Sequence, residues 1–359
     1  MPLPTKTRAL VIREAEDPGE RTYHDAVVVE QDIPPLKREE VLVKINAAGF
    51  NHRELWQRMN LYPGIVLGAT FGADGAGVVV GAYDDGDPLL NKRVFLTPAR
   101  GWENDPVAPE SRFGIVGGGN LPPIGTFSEY VVVERDQVIP TPGHLDDVQA
   151  AAWPLGGLTA WRAVMVLARV EKGHNVLITG VGGGVALLAL QLCVAKGANA
   201  YVTSGTDEKI EKAVALGAKG GVKYKDGDWP QQLAQLLKRD GKTFLNSVID
   251  SAGGDIMGQT LRLLKPGGKV VCYGMTAVPK ITFRMPDVMR NIQLLGSMMG
   301  SHQDLLDATA FMETHRIVPV VSHVLEGIGA AEDGFDIMKK GTQFGKIVIK
   351  LGSTRQARL

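Results

Sequence analysis

The sequence predicts an α/β chain in which a doubly wound parallel sheet is joined to a smaller β-barrel-like domain. The region before about residue 145 consists of short β-rich segments separated by turn residues, whereas from about residue 150 apolar strands alternate with helical segments. The 359 residues are also long for one domain and sufficient for two cores. We therefore assign residues 1–148, completed by 315–359, to the barrel-like domain and residues 149–314 to the parallel sheet.

Composition excludes several classes of protein. Lys plus Arg and Asp plus Glu both number 39, so the formal charge is zero and no basic surface for nucleic acid is expected. The sequence has no apolar run of membrane-spanning length, and its first residues lack the order of a secretory signal. The 2 cysteines are too few for a disulfide framework or a zinc cluster. We expect a cytoplasmic protein that acts on a small molecule, with neither nucleic acid nor membrane as a partner.

The strands of the barrel-like domain are predicted from β-rich segments bounded by polar residues, glycine or proline. These segments are 8–12, 26–29, 40–45, 75–81, 93–96 and 127–133. A short helical segment near 53–59 interrupts them. Residues 97–126 are rich in glycine and proline and show no clear element, and loops of this length are usually functional or mobile.

The second half is predicted from apolar strands that alternate with helices. The strands are 175–179, 200–203, 222–224, 247–250, 269–273 and 293–297, and the helices are 185–195, 207–216, 228–239 and 256–264. Asp207 is expected to cap the second of these helices, and the Lys-Pro-Gly-Gly run at 265–268 to end the last one. Two strand-like segments at 318–325 and 346–351 return to the first domain.

A glycine-rich turn between strand 175–179 and helix 185–195 predicts a dinucleotide site. Its cofactor-binding candidates are Gly180, Gly182, Gly183, Gly184 and Val185. Glycines let a turn tighten and let a pyrophosphate approach the N–H groups at the start of the helix. Of two spacings, we prefer Gly180-x-x-Gly183-x-x-Ala186 over Gly180-x-Gly182-x-x-Val185. A glycine turn without a ligand is the less favoured alternative.

The end of the second strand favours NADP over NAD. NAD sites usually place a carboxylate there to hold the ribose 2′-hydroxyl, but residues 201–206 contain none. Ser204, Lys209 and Tyr224 are the candidates for holding a 2′-phosphate, with a solvated Lys209 as the alternative. Asp207 and Glu208 lie just beyond the strand, so NAD is disfavoured rather than excluded.

Short motifs along almost the whole chain resemble the medium-chain dehydrogenase/reductase superfamily, and within it the zinc-free quinone oxidoreductase-like branch. The motifs lie at 48–56, 72–79, 125–130, 154–161, 179–186, 248–254, 264–268 and 344–348. The resemblance implies a GroES-like N-terminal domain and a Rossmann domain, the α/β fold described above. It also implies a homodimer, for which 293–299 is the candidate edge strand.

The resemblance implies that the protein holds no zinc. Asn51 stands where zinc-dependent relatives have a cysteine ligand, and Ala73 stands where they have a histidine. Segment 97–126, which corresponds to their structural zinc lobe, contains no cysteine. Catalytic zinc needs three protein ligands and structural zinc needs four. We expect His52 and Asp74 to hydrogen bond within the barrel instead.

The resemblance also implies roles for particular residues. Asn51 would bond the nicotinamide ribose or the substrate oxygen, Tyr62 would donate to that oxygen, and Trp56 would line the pocket or else belong to the core. The alternative for Tyr62 is a loop tyrosine that packs on its neighbours, and the functional role is preferred over it. Further cofactor contacts would come from Thr159, Gly253, Tyr273, Gly274, Met275 and Lys346, of which Met275 and Lys346 are as well explained as ordinary turn and strand residues.

These features together predict an NADP-dependent, zinc-independent oxidoreductase that reduces a quinone or an α,β-unsaturated carbonyl. Protonation would come from Tyr62 or from water. One alternative is a zinc-free reductase of simple aldehydes or ketones, in which no Lewis acid polarises the carbonyl. Another is a cofactor-binding protein with a structural or regulatory role.

Overall fold

The computed structural model describes residues 2–16 and 22–351, and the chain divides into two compact units. Unit 1 comprises Met1–Leu155, Ser301–Thr309 and Val318–Leu359, and unit 2 comprises Gly156–Gly300 and Ala310–Ile317. None of the helices within the described residues is both long and apolar enough to cross a membrane.

The described residues form strands and helices in the following chain order. The strands are β1 (Lys6–Arg13), β2 (Asp25–Asp32), β3 (Glu40–Gly49), β4 (Asp74–Ala82), β5 (Arg93–Leu96), β6 (Ala99–Arg100), β7 (Gly114–Ile115), β8 (Tyr130–Glu134), β9 (Val138–Pro140), β10 (Asn175–Ile178), β11 (Asn199–Ser204), β12 (Gly220–Lys223), β13 (Leu245–Asp250), β14 (Gly253–Gly254), β15 (Leu264–Cys272), β16 (Val278–Ile281), β17 (Gln293–Gly296), β18 (Val321–Glu326) and β19 (Lys346–Lys350). The helices are α1 (His52–Arg58), α2 (Asp147–Ala151), α3 (Pro154–Trp161), α4 (Gly184–Ala195), α5 (Asp207–Ala215), α6 (Trp229–Arg239), α7 (Ile256–Thr260), α8 (Met285–Met289), α9 (His302–Thr314) and α10 (Ala331–Lys340). A π-helix at Arg162–Leu167 continues α3, and short 3-10 turns lie at Arg135–Gln137 and Ile328–Ala330.

Unit 1 is built on a sheet in the order β18-β19-β3-β4-β5-β9, with β8 also paired to β3. The two C-terminal strands belong to this sheet because β19 runs antiparallel to β3, with Val348 opposite Gly49. Four phenylalanines from separate segments meet edge to face at ring-centroid distances of 4.6–5.6 Å and fill the core. They are Phe50, Phe71, Phe127 and Phe335.

Unit 2 is built on a parallel sheet in the order β12-β11-β10-β13-β15-β17. All four residues of β10 are buried, as expected for a central strand that is covered on both faces. The chain passes from β10 to β11 and β12 on one side, and then crosses to β13 on the other. The carboxyl end of β10 is therefore the switch point at which open α/β sheets bind ligands.

The predicted fold class, a Rossmann sheet plus a GroES-like β-domain, is confirmed. Several local predictions were wrong. Strand β15 already begins at Leu264, since the Lys-Pro-Gly-Gly run forms an irregularity inside the strand, while α7 ends at Thr260. Thr206 rather than Asp207 caps α5, because its hydroxyl accepts the N–H of Lys209.

Other elements were not predicted. Helices α9 and α10 follow the last predicted strand of the parallel sheet, and α10 packs its Phe335 and Met338 into the core of unit 1. Segment 97–126 contains the two-residue strands β6 and β7, which pair with each other. Strands this short leave no periodic pattern in the sequence.

Candidate functional site

The glycine turn of unit 2 follows the carboxyl end of β10. Gly180 and Gly182 have φ angles of +66° and +136°, which other residues rarely adopt. Gly183 has an ordinary extended φ as the N-cap of α4, with open space where a Cβ would be. The backbone therefore requires glycine at 180 and 182, which corrects our preference for the Gly180-x-x-Gly183 spacing.

The turn is held by side chains from the neighbouring strands. The Thr203 hydroxyl accepts the N–H of Gly180 at 3.1 Å, and the Ser204 hydroxyl donates to the Val181 carbonyl at 3.2 Å. On the other side, the Thr179 hydroxyl donates to the buried Asp250 carboxylate at 2.7 Å. Ser204, a predicted phosphate contact, thus bonds the turn itself.

Helix α4 starts directly after this turn with the predicted residues Gly184 and Val185. No side chain caps its N-terminus, so the first N–H groups and the positive end of the helix dipole are not neutralised by a capping side chain. This end of the helix suits a pyrophosphate.

Lys209 lies next to Gly182 of the turn after β10, and Tyr224 lies next to Gly205 at the carboxyl end of β11. A Cβ on Gly182 would lie 3.1 Å from Cδ and 3.4 Å from Nζ of Lys209, so this side chain covers the glycine turn. Burial lowers the pKa of Lys209. A Cβ on Gly205 would lie 2.9 Å from the Tyr224 hydroxyl. The glycines thus leave room for both side chains beside the turn.

The nearby acids of α5 are paired with cations. Asp207 forms an ion pair with Lys223 at 3.0 Å, and Glu208 forms one with Lys212 at 2.6 Å. The residues that follow β11 directly, Gly205 and Thr206, contribute no carboxylate. The turn therefore fits a dinucleotide whose ribose carries a phosphate.

The remaining predicted cofactor residues of unit 2 fall in three places. Gly253 has a φ of +75°, and a Cβ there would lie 2.2 Å from the Val278 carbonyl oxygen. Tyr273 and Gly274 follow β15, where Tyr273 bonds the Asp250 carbonyl and burial raises its pKa. Met275 is half exposed, whereas Thr159 is buried inside α3, where its hydroxyl lies 3.8 Å from the Met299 sulfur.

Unit 1 contains a buried polar cluster formed by Asn51, Asp74 and Lys346. The Lys346 ammonium donates to Oδ1 of Asn51 at 2.6 Å and to Oδ2 of Asp74 at 2.8 Å. Nδ2 of Asn51 donates to the same Asp74 oxygen at 2.9 Å, and the backbone N–H of Leu155 donates to the other at 2.7 Å. Asp74 is 0%, Lys346 5% and Asn51 9% exposed.

Sheet register places these three side chains together. Asn51 follows β3, Asp74 begins β4 and Lys346 begins β19. Gly49 of β3 lies opposite Asp74 on one side and Val348 on the other. The sequence named Asn51 and Lys346 as site residues but expected Asp74 only to hydrogen bond within the barrel.

Helix α1 extends the cluster with Arg53 and Glu54, which the sequence analysis missed. Glu54 accepts the backbone N–H of Asn51 at 2.6 Å and lies 3.1 Å from the guanidinium of Arg53. Burial raises the pKa of Glu54, and the Arg53 charge opposes that shift. Arg53 also donates to the carbonyls of Val116 and Gly117, so α1 anchors part of segment 97–126.

Tyr62 and Trp56 lie beside the same helix. The Tyr62 ring packs against the Arg53 guanidinium at 4.9 Å, and Trp56 stacks edge to face with His52 at 5.1 Å. Both side chains are partly buried. A single hydrogen-bonded network thus connects Asn51 to the helix that holds the two aromatic rings.

The donor set of this cluster does not suit zinc. An ammonium donates hydrogen bonds and cannot ligate, and it already occupies the space between Asn51 and Asp74. Within residues 2–16 and 22–351 no group of three or more His, Cys, Asp or Glu side chains can hold a metal ion. Catalytic zinc requires three protein ligands.

Two family models match the chain, one to each predicted domain. Residues 37–143 match the alcohol dehydrogenase GroES-like domain, and residues 184–314 match the zinc-binding dehydrogenase family. The zinc-type alcohol dehydrogenase-like protein YogA of Leptosphaeria maculans is 40% identical, over 95% of this chain and 99% of its own. A zinc-type alcohol dehydrogenase-like protein of Schizosaccharomyces pombe is 31% identical, over 90% of this chain and 94% of its own.

Solved structures resemble the chain over nearly its whole length. An NAD-dependent alcohol dehydrogenase matches with a TM-score of 0.83 and 29% identity, over 96% of this chain and 100% of the other. The crotonyl-CoA carboxylase/reductase AntE, solved in complex with NADP, matches with a TM-score of 0.85 and 21% identity, over 98% and 96% of the two chains. The second likeness is one of fold alone.

Proposed function

Since the chain belongs to the medium-chain dehydrogenase/reductase superfamily and is an oxidoreductase, we propose that it transfers a hydride from NADPH to a quinone or an α,β-unsaturated carbonyl without zinc. The observation that carries this proposal is the Asn51–Asp74–Lys346 cluster. It offers fixed hydrogen-bond donors at Asn51, the position at which the resemblance implies a zinc ligand in zinc-dependent relatives.

NADPH supplies the hydride when it is bound. Gly180, Gly182 and the N-terminus of α4 would hold its pyrophosphate, because the N–H groups there favour an anion. Lys209 and Tyr224 would hold the 2′-phosphate at the end of β11. NADP is favoured over NAD because no carboxylate directly follows β11, and because Asp207 and Glu208 further along are ion-paired with Lys223 and Lys212.

Conjugated acceptors suit a site that offers donors rather than a metal. Hydride addition to a quinone or an enone puts negative charge on a carbonyl oxygen, and preorganised donors stabilise such charge in a dry site. Asn51 would donate to that oxygen, with Tyr62 as a second donor and, with water, a source of the proton. An unconjugated carbonyl depends more on a Lewis acid to polarise it.

A panel of matched acceptors tests the proposal. Purified protein is dialysed against a chelator, and NADPH or NADH consumption is followed with a benzoquinone, with an enone, and with the saturated ketone of the same carbon skeleton. We expect the quinone and the enone to be reduced with NADPH, the saturated ketone to react much more slowly, and the chelator to have no effect.

Three other results would each contradict part of the proposal. Equal rates with the saturated ketone would favour a reductase of simple carbonyls. Loss of activity with the chelator, restored by zinc, would refute zinc independence. NADPH binding without turnover of any acceptor would favour a structural or regulatory role.

A further inference from the structure

We infer that Lys346, with Asp74, is a positioning residue that orients the Asn51 amide toward the reacting oxygen. The inference rests on the proposed function and adds to it the residues that fix the orientation of Asn51. Lys346 is thereby a positioning residue for the reaction rather than only a cofactor contact.

The hydrogen bonds permit a single orientation of the Asn51 amide. Its oxygen faces the Lys346 ammonium at 2.6 Å, and its nitrogen faces the Asp74 carboxylate at 2.9 Å. A flipped amide would place its NH₂ group against an ammonium and its oxygen against a carboxylate, and both contacts are repulsive. One Nδ2 hydrogen is used by Asp74, and the other bonds none of the residues that the structure describes.

The ammonium also makes this remaining N–H a better donor. A hydrogen bond from a cation to Oδ1 draws electron density from the amide, and hydrogen bonds in a chain polarise one another. The cluster is shielded from bulk solvent, since its three residues are at most 9% exposed. A donor that is fixed before the reaction loses no reorganisation energy when negative charge develops.

Asp74 keeps the ammonium in place. A buried cation is tolerated only when it is paired and hydrogen bonded. Asp74 accepts from Lys346, Asn51 and the Leu155 backbone, so its charge is compensated on both oxygens. Removing Lys346 alone would leave this carboxylate buried without a cation. Lys346 and Asp74 are therefore substituted together.

The test compares Lys346→Met/Asp74→Asn, in which the buried charges are removed as a pair, with Asn51→Ala and with the triple variant. Lys350→Met is the matched control, because Lys350 lies on the same strand but is exposed and bonds Glu326. We expect kcat to fall about 100-fold in the double variant, the cost of losing one fixed donor to an oxyanion. In the double variant kcat should fall far more than the affinity for NADPH, and the activity of Lys350→Met should change little.

If Lys346 and Asp74 act through Asn51, the losses of kcat in the double variant and in Asn51→Ala should not multiply in the triple variant. If Lys346 and Asp74 work by orienting Asn51, the triple variant should be no slower than Asn51→Ala. Independent, multiplicative losses would overturn the positioning role, as would a double variant with wild-type kcat. A fall in activity that is matched by a fall in melting temperature and in NADPH affinity would show a purely structural role, and would also overturn it.

A second measurement does not depend on turnover. The Asn51 side-chain amide signals of isotope-labelled protein, assigned by their loss in Asn51→Ala, should exchange slowly with solvent and do so faster in the double variant. Unchanged exchange would refute the positioning of the amide. If the amide is anchored but no acceptor consumes NADPH, the proposed function fails and the catalytic part of this inference fails with it.

Discussion

The Tyr62 ring packs against Arg53, so a substitution that keeps the ring can test the hydroxyl on its own. The ring packs on Arg53 at 4.9 Å, and the guanidinium itself is anchored to the carbonyls of Val116 and Gly117. Tyr62→Phe keeps this packing and removes only the hydroxyl. If the hydroxyl donates to the developing oxyanion, kcat should fall about 100-fold while the Kd for NADPH stays the same.

The measurement is steady-state kinetics with a quinone, together with an NADPH titration. Tyr83→Phe serves as the control, because Tyr83 is 58% exposed on the same unit. An unchanged kcat in Tyr62→Phe would remove the tyrosine from the mechanism and would leave protonation to water.

We expect Lys209 to be responsible for tighter binding of NADPH than of NADH. Its ammonium lies on the glycine turn, and the neighbouring acids are engaged by other lysines. Lys209→Gln removes a charged hydrogen bond to the 2′-phosphate, which is worth a loss of roughly 10-fold to 100-fold in NADPH affinity. NADH affinity should not change.

Thermal shifts measured with each cofactor check this, because a bound ligand raises the melting temperature by mass action. Lys238→Gln, at an exposed position of helix α6 in the same unit, is the control. Equal shifts with NADPH and NADH in the wild-type protein would refute the NADP assignment itself.

At the scale of elements, the Glu110 side chain hydrogen bonds to the backbone of segment 97–126 and fixes part of its conformation. Glu110 accepts the backbone N–H groups of Glu103, Asn104 and Asp105 at 2.5–2.7 Å, which lowers its pKa from 4.5 to about 2. Trp102 is buried against Phe113 in the same segment. This part of the segment is therefore a folded loop with its own hydrogen bonds.

The Glu110 contacts predict a pH dependence with a definite sign. Because folding lowers the pKa of the carboxyl group, its stabilising effect is present above pH 4.5 and is lost as the pH falls from about 4.5 to about 2. Glu110→Gln should lower the melting temperature at neutral pH, and its difference from the wild type should shrink in acid.

Hydrogen exchange at residues 103–105 gives the local measurement, since those amides should exchange faster in Glu110→Gln. Glu313→Gln, at an exposed position of α9, is the control. A melting-temperature difference that grows as the pH falls would contradict the assigned hydrogen bonds.

Elements were predictable where their pattern is local. The alternation after residue 150 predicted β10, α4, β11 and α6 because apolar runs of strand or helix length and the amphipathic pattern of α6 are each bounded by local turn or capping residues. The start of β15 was missed because proline and two glycines lie inside it, and there the pairing with β13 overrides local preference. The glycine spacing was misassigned because only the backbone φ angles distinguish Gly182 from Gly183.

At the scale of the whole molecule, the Asn51–Asp74–Lys346 cluster depends on contacts between distant residues, which a sequence pattern does not contain. Asn51 and Lys346 are 295 positions apart, and only the pairing of β19 and β4 with β3 brings them within 2.6 Å. Each residue was predicted singly from a motif, but their contact depends on strand register, which is set by the complete sheet. The prediction that Asp74 hydrogen bonds within this domain is confirmed, but its two partners Asn51 and Lys346 could not be named from the sequence for the same reason.

The parallel sheet of unit 2 ends in a strand that is suited to a second copy of the chain. Strand β17 pairs with β15 on one side and is the edge of the sheet on the other. Apolar side chains lie exposed before and after it, with Met289 79% and Met298 50% exposed. Unpaired strand edges with apolar surroundings favour pairing between chains, and we expect a homodimer in which two β17 strands pair across a two-fold axis.

Light scattering coupled to gel filtration tests the dimer. Leu295→Lys places a positive charge in β17 of each copy, and like charges across a two-fold pair destabilise it, so this variant should elute as a monomer with a wild-type melting profile at low concentration. Val214→Lys, at an exposed position of α5, should remain dimeric. A monomeric wild-type protein at all concentrations would refute the homodimer. A Leu295→Lys variant with the same dimer dissociation constant as the wild type would contradict pairing through β17.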